Sequence, residues 1–170
     1  MKLKIFYPFC QALSLGALAG MRSTVATAVA SQILMDNPSK KVEQSGLAFM
    51  QSARNNSVLK VMVIGELIMD KMPFTPDRIN PLAATGRCLS GAIAGASIYK
   101  TNGEKTVRGA ILGAVAAFAA TFASFYLRKA IVKATGIYDP IIGAVEDVVV
   151  IGAGIAFAEL ALKNVAHIKE

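Results

Sequence analysis

The sequence predicts an all-α, polytopic membrane bundle of four to five spans, with a broken or re-entrant first hydrophobic segment. Three observations carry this prediction. Of 170 residues, 54% are hydrophobic and 17% charged, whereas a soluble domain is usually about 25% charged. Glycine and alanine recur at close-packing spacings such as Gly16/Gly20, Gly91/Gly95 and Gly109/Gly113, while Trp is absent. Finally, the charged break Gly20-Met-Arg22-Ser-Thr24 interrupts a long apolar run. An arginine in hydrocarbon costs from ~3 to above 10 kcal/mol unless it is paired or wetted, so Arg22 requires acidic partners later in the chain. The length suits one domain, residues 1–170.

The first apolar segment, residues 5–35, would be ~46 Å long as one helix at ~1.5 Å per residue, well over a ~30 Å hydrocarbon core. It is therefore either strongly tilted or broken near Gly20 to Thr24, with Ser23 or Thr24 capping a second half-helix. Lys2, Lys4 and Ala17-Leu-Ala19 have the flavour of a signal peptide, but Pro8 interrupts the stretch and the apolar character continues beyond it. Asp36 to Asn56 is polar, with Asn37-Pro38 as a turn signal and a short interfacial helix near Gly46 to Gln51. A helix is expected over 57–72, placing Glu66 and Asp70 on one face, followed by a tight connection through Pro73, Pro76 and Pro81. Asn80-Pro81 reads as a cap followed by proline at the first helical position, opening a helix over 81–99. The segment 107–134 contains Gly109 to Leu127 without a charge, the one stretch that meets the simple spanning criterion, and it stops near Gly136. Asp139-Pro140 repeats the cap-then-proline start for a last helix over 140–164.

Counting Lys and Arg tests the topology. If residues 5–35 cross once, the two sides carry seven and nine positive charges, which decides nothing. If they enter and return, the sides carry eleven and five. The second arrangement is preferred, with four spans and both termini cytoplasmic.

The polar centre is expected from Arg22, Ser23, Glu66, Asp70, Arg87, Glu146 and Asp147, with Glu159 and the Asp70-Lys71 pair nearer the interface. Arg87 and Glu146 each follow a cap-proline start by six residues, which places them at similar depth. Arg22 with Glu66 is the other expected pair. Two readings stay open: ion pairs locking a bundle, or a wet cavity that binds an ion or polar group. The glycines permit close helix approach within the chain or across a homo-oligomer.

No catalytic constellation is visible, so no enzyme is expected, and no spacing suits a metal or a cofactor. Cys10 and Cys88 lie in apolar runs and read as free thiols. The net charge is +7, but the basic residues sit mostly in connecting segments, which points to lipid headgroups rather than nucleic acid.

Gly20-Met-Arg22-Ser23, then Glu66 with Asp70-Lys71 and Pro73, then Thr135-Gly136, Asp139-Pro140 and Glu146-Asp147 follow in an order that carries a resemblance. At these residues the chain resembles a bacterial family of small integral membrane proteins known as domain of unknown function four-one-two-six. Asp139 stands where the family pattern has Asn, and Ser23 where it has Thr; both keep capping chemistry. The resemblance implies a membrane protein, in a bacterial inner membrane, and leaves the activity open. The functional expectation is a small transporter or channel-like protein, its mid-membrane site taking an ion, an anionic solute or a lipid headgroup. The alternative is a structural or assembly protein, with helix-locking charges and glycine faces that meet an oligomer or partner.

Overall fold

The computed structural model describes the backbone of residues 3–70 and 80–169 and the side chains of residues 8–70 and 80–162. It is all-α, without a strand among the described residues. The elements are α1 (Leu3–Met21), α2 (Ser23–Asp36), α3 (Lys40–Glu43), a 3-10 turn (Ala48–Gln51), α4 (Ala53–Met69), α5 (Pro81–Thr101), α6 (Thr106–Thr135) and α7 (Asp139–Lys169). The expected helices over 81–99 and 107–134 correspond to α5 and α6. The helix expected from residue 57 begins earlier, at Ala53, after an extended Ser52 whose carbonyl accepts from Asn56 N at 2.9 Å. The last helix runs beyond residue 164 to Lys169. Lys71, Pro73 and Pro76 lie outside the described residues.

Local chemistry explains the boundaries. Asn80 Oδ1 accepts from Leu82 N at 3.1 Å and Pro81 occupies the first turn, a start in which proline's missing N–H costs nothing. Gly136 closes α6 with φ 66° and an N–H bond to Val132 O, a left-handed position that glycine adopts without a Cβ penalty. The first apolar run breaks at Arg22 alone, whose backbone is extended (φ −142°, ψ 108°).

Helix directions follow from the close contacts. Gly91 and Gly95 lie against Gly113 and Gly109, so α5 and α6 are antiparallel. Gly16 and Gly20 lie over Gly113 and Ala117, so α1 runs parallel to α6. The Ser90 hydroxyl bonds the Ser23 carbonyl where α2 starts, and Lys41, just past α2, meets Gly103, just past α5. So α2 runs parallel to α5 and doubles back on α1 around Arg22. Lys60 Nζ donates to Gln32 Oε1 at 2.9 Å while Glu66 reaches Ser23, which makes α4 antiparallel to α2. Gly154 rests on Val25 and Val29, and α7 leans on α2 far more than on α6.

The core sits in the angle of this doubled-back pair, around Leu15, Leu18, Ala26, Ile33, Leu34 and Met50. The glycines at positions 16, 20, 91, 95, 109 and 113 are spent inside the chain, joining α1, α5 and α6, whereas Gly152 has nothing within 4 Å. Cys10 and Cys88 are free thiols on α1 and α5.

The span count needs correction. Among the described residues two helices, not four to five, are long and apolar enough to cross a membrane: α6, and α7 over Asp139–Leu162. The described apolar stretch of α1 is Pro8–Met21, α2 has 14 residues and α4 has 17. α5 has the length, 21 residues, but Thr85, Arg87, Ser90 and Ser97 dilute its apolar character. Only 17% of the spanning stretch of α6 and 22% of that of α7 is buried within the chain. Their outward faces, with Ile111, Val115 and Phe118 on α6 and Val148, Val149 and Ile155 on α7, are exposed, unlike the core helix of a soluble protein.

Candidate functional site

The break at Arg22 is the focus of the polar chemistry. Arg22 is 2% exposed, and its two terminal nitrogens pair separately, Nη1 with Asp70 at the end of α4 and Nη2 with Asp147 on α7. A guanidinium presents its donors in a planar fork, so it can hold two carboxylates at once where a lysine ammonium would act as a point charge. Arg22 Nε is buried without an acceptor among the described residues.

The helix start just beyond it is capped from a distance. Ser23 N and Thr24 N donate to the two oxygens of Glu66, each at 2.9 Å, and the Ser23 and Thr24 hydroxyls bond the same carboxylate. A helix N-terminus carries unsatisfied N–H groups and roughly half a positive charge, and Glu66 answers both. Local capping by Ser23 or Thr24 is therefore corrected: Arg22 is the cap residue without a side-chain bond, and Glu66 supplies the acceptor. The expected Arg22–Glu66 pair is corrected as well, because Glu66 sits on the α2 amides while the aspartates take the guanidinium. Asp70 belongs to the centre rather than to a solvated interface, its side chain only 16% exposed.

The neighbouring helices close over the break. Thr121 Oγ1 on α6 donates to Gly20 O at 3.1 Å and Ser90 on α5 bonds Ser23 O. These hydroxyls serve carbonyls near the end of α1 and the start of α2; neither residue stood out in the sequence, where hydroxyls on apolar helices carry no signature of their partner. Arg87 is buried one turn before Ser90. Glu146, next to Asp147, faces a second arginine, Arg128 Nη1, at 3.8 Å, and Arg128 also forms a two-pronged pair with Asp139 at 2.7 and 2.8 Å. The structure thus brings Arg22 against Asp70 and Asp147 and Ser23 against Glu66, while Glu146, next to Asp147 in the chain, faces Arg128 instead.

In depth, Thr121 lies about 22 Å along α6 from Thr106, and Asp147 about 12 Å along α7 from Asp139, at ~1.5 Å per residue. The centre therefore falls inside both long apolar helices rather than at their ends. A family model described as Domain of unknown function (DUF4126) matches residues 9–163, a stretch that contains every residue of this centre. The chain belongs to the DUF4126 family. No curated protein and no solved structure matches the chain. For this DUF4126 chain, function has to be read from the site itself.

Replacing Glu66 by Ala tests the capping role. The two α2 amides lose their acceptor, and a stability loss of about 1–2 kcal/mol is expected, the upper range for a cap. Thermal unfolding in mild detergent measures it, and a variant as stable as wild type would mean that solvent caps α2 equally well.

Proposed function

We propose that the chain is a small channel- or transporter-like membrane protein in which the Arg22 centre is an exchangeable ion site. The observation that carries this reading is the convergence of two aspartates, from α4 and α7, on one buried arginine at a helix break. Such a pair is an acidic site already occupied by a tethered cation. A small mobile cation competes with the guanidinium for Asp70 and Asp147, and displacement of Arg22 frees α7 from the break. The anionic solute or headgroup expected at the α2 N-terminus is less suited, because Glu66 already fills that place. Arg22 Nε adds support: a buried N–H without an acceptor costs about 1–3 kcal/mol and is met by an oxygen from water or solute.

In this reading α6 and α7 cross the membrane, and the doubled-back α1 and α2, with α4 and α5, pack against them. The exposed apolar side of α4, with Val61, Ile64 and Ile68, suits lipid contact. Two crossings put both termini on one side, which we take to be the cytoplasmic side of a bacterial inner membrane.

A second reading has one observation in its favour. The fourfold grip of Glu66 on Ser23 and Thr24 is a capping geometry, complete without any ligand. There the centre is a structural lock, and any homo-oligomer or partner contact uses faces other than the buried glycines.

Cation flux in proteoliposomes separates the two. The ion-site reading expects saturable flux that drops at least tenfold in folded Asp147→Asn. No flux above empty liposomes, or wild-type flux in Asp147→Asn, would sink it. A lock predicts no flux from the folded wild type.

A further inference from the structure

Away from the charged centre, α2, α4 and α7 leave an apolar groove of about 430 Å³ between them. Its walls are Val25 and Val29 of α2, Val63 of α4, and Ile151, Ile155 and Leu162 of α7. One end is polar. There Lys60 Nζ donates to Gln32 Oε1 at 2.9 Å, and Glu159 lines the same end. Glu159 ends the uncharged run 148–158 of α7 and is followed in sequence by Lys163, a pattern that suits the depth where a spanning helix meets the headgroup layer. From there the groove runs inward about 12 Å along α7, from Glu159 to Ile151, at ~1.5 Å per residue.

We propose that this groove holds one zwitterionic, amine-bearing phospholipid of the phosphatidylethanolamine type. Its acyl chain lies between α2 and α7, Lys60 takes the phosphate and Glu159 takes the headgroup ammonium. Charge complementarity selects this occupant. An anionic lipid would satisfy Lys60 but set its charge against Glu159, whereas the paired charges of a zwitterion match both. An acyl chain suits the remainder, because the walls offer no polar partner below Gln32. A lysine at this position extends its apolar stem along the groove and keeps its ammonium at the headgroup level. The site shares no residue with the Arg22 centre and does not depend on the ion-site reading.

The test is native mass spectrometry of the full chain purified in mild detergent and exchanged with mixed vesicles of phosphatidylethanolamine and phosphatidylglycerol. One phosphatidylethanolamine per chain is expected, enriched at least tenfold over its share in the vesicles. Ala158→Phe, which fills the groove from its half-buried wall, should lose this lipid. Glu159→Gln should lower phosphatidylethanolamine retention and raise phosphatidylglycerol retention, since the repulsion is gone and Lys60 remains. An unaltered melting temperature in both variants shows that the fold is intact. Preference for phosphatidylglycerol in the wild type overturns the proposal, as does lipid bound in vesicle proportion or full retention in a folded Ala158→Phe. Should Ala158→Phe not fold, the Glu159→Gln shift decides alone, and an unchanged lipid ratio there also overturns it.

Discussion

Arg22→Met is expected to lower the unfolding free energy by about 3–5 kcal/mol, the loss that follows when one member of a buried ion pair is removed. The substitution keeps the length and apolar bulk of the side chain but leaves Asp70 and Asp147 facing one another without their shared cation. Most of the effect is this stranded negative charge rather than a lost attraction. The triple variant Arg22→Met, Asp70→Asn, Asp147→Asn should therefore recover a large part of the stability, because neutral groups no longer need the arginine. Melting of both proteins in the same detergent checks the pair of outcomes. If the single variant melts like wild type, water reaches the aspartates freely and the centre is not the fold's fastening point.

Gly113→Leu is the other substitution with a large expected effect. Gly113 is where three helices meet: a side chain there would fall on the Gly91 carbonyl of α5, while Gly16 of α1 packs on the Gly113 backbone. The obstruction is the α5 main chain at Gly91 and Ala92, which cannot move aside as a side-chain tip would. Overpacking ordinarily costs about 1–3 kcal/mol, and with backbone as the obstacle the loss should reach or exceed the top of that range. Gly152→Leu is the matched control, since nothing lies within 4 Å of it, and it should stay within about 0.5 kcal/mol of wild type. Size-exclusion profiles and melting curves distinguish them: an aggregated or absent Gly113→Leu beside a normal Gly152→Leu is the expected result. Equal behaviour would mean that α1, α5 and α6 are less closely joined than their glycines imply.

What was legible in the sequence depended on how local the cause was. The α5 start at Asn80-Pro81, the α6 stop at Gly136 and the break at Arg22 are each written within a few neighbouring residues, and each was readable. The membership of Arg22, Ser23, Glu66, Asp70 and Asp147 in one polar centre was also readable, because ionisable groups in apolar helices have few alternatives to one another. Which acid meets which base was not. Glu66 and Asp70 are four residues apart on one helical face, so rotation alone cannot say which faces the guanidinium and which the α2 amides. That choice depends on how far α4 is raised against α2, a matter of tertiary packing around Asn56, Met50 and Ser31. The spans were overcounted for a related reason. A helix such as α5 alternates glycine and serine with apolar residues to meet α6 and α1, and small residues that serve packing resemble those that serve lipid contact.

The order in which the partners of Arg22 are made has a consequence for how the protein is assembled. Asp147 lies 125 residues downstream of Arg22. At about 5–20 residues per second, a ribosome completes that interval in roughly 6 to 25 s. For the first part of it the arginine has neither acid of this pair, and for the remainder Asp70 alone. The doubled-back α1 and α2 therefore wait for the full set of charge partners until the last helix is delivered. Truncation before α7 should leave the break without Asp147 and open to proteases that the finished protein excludes.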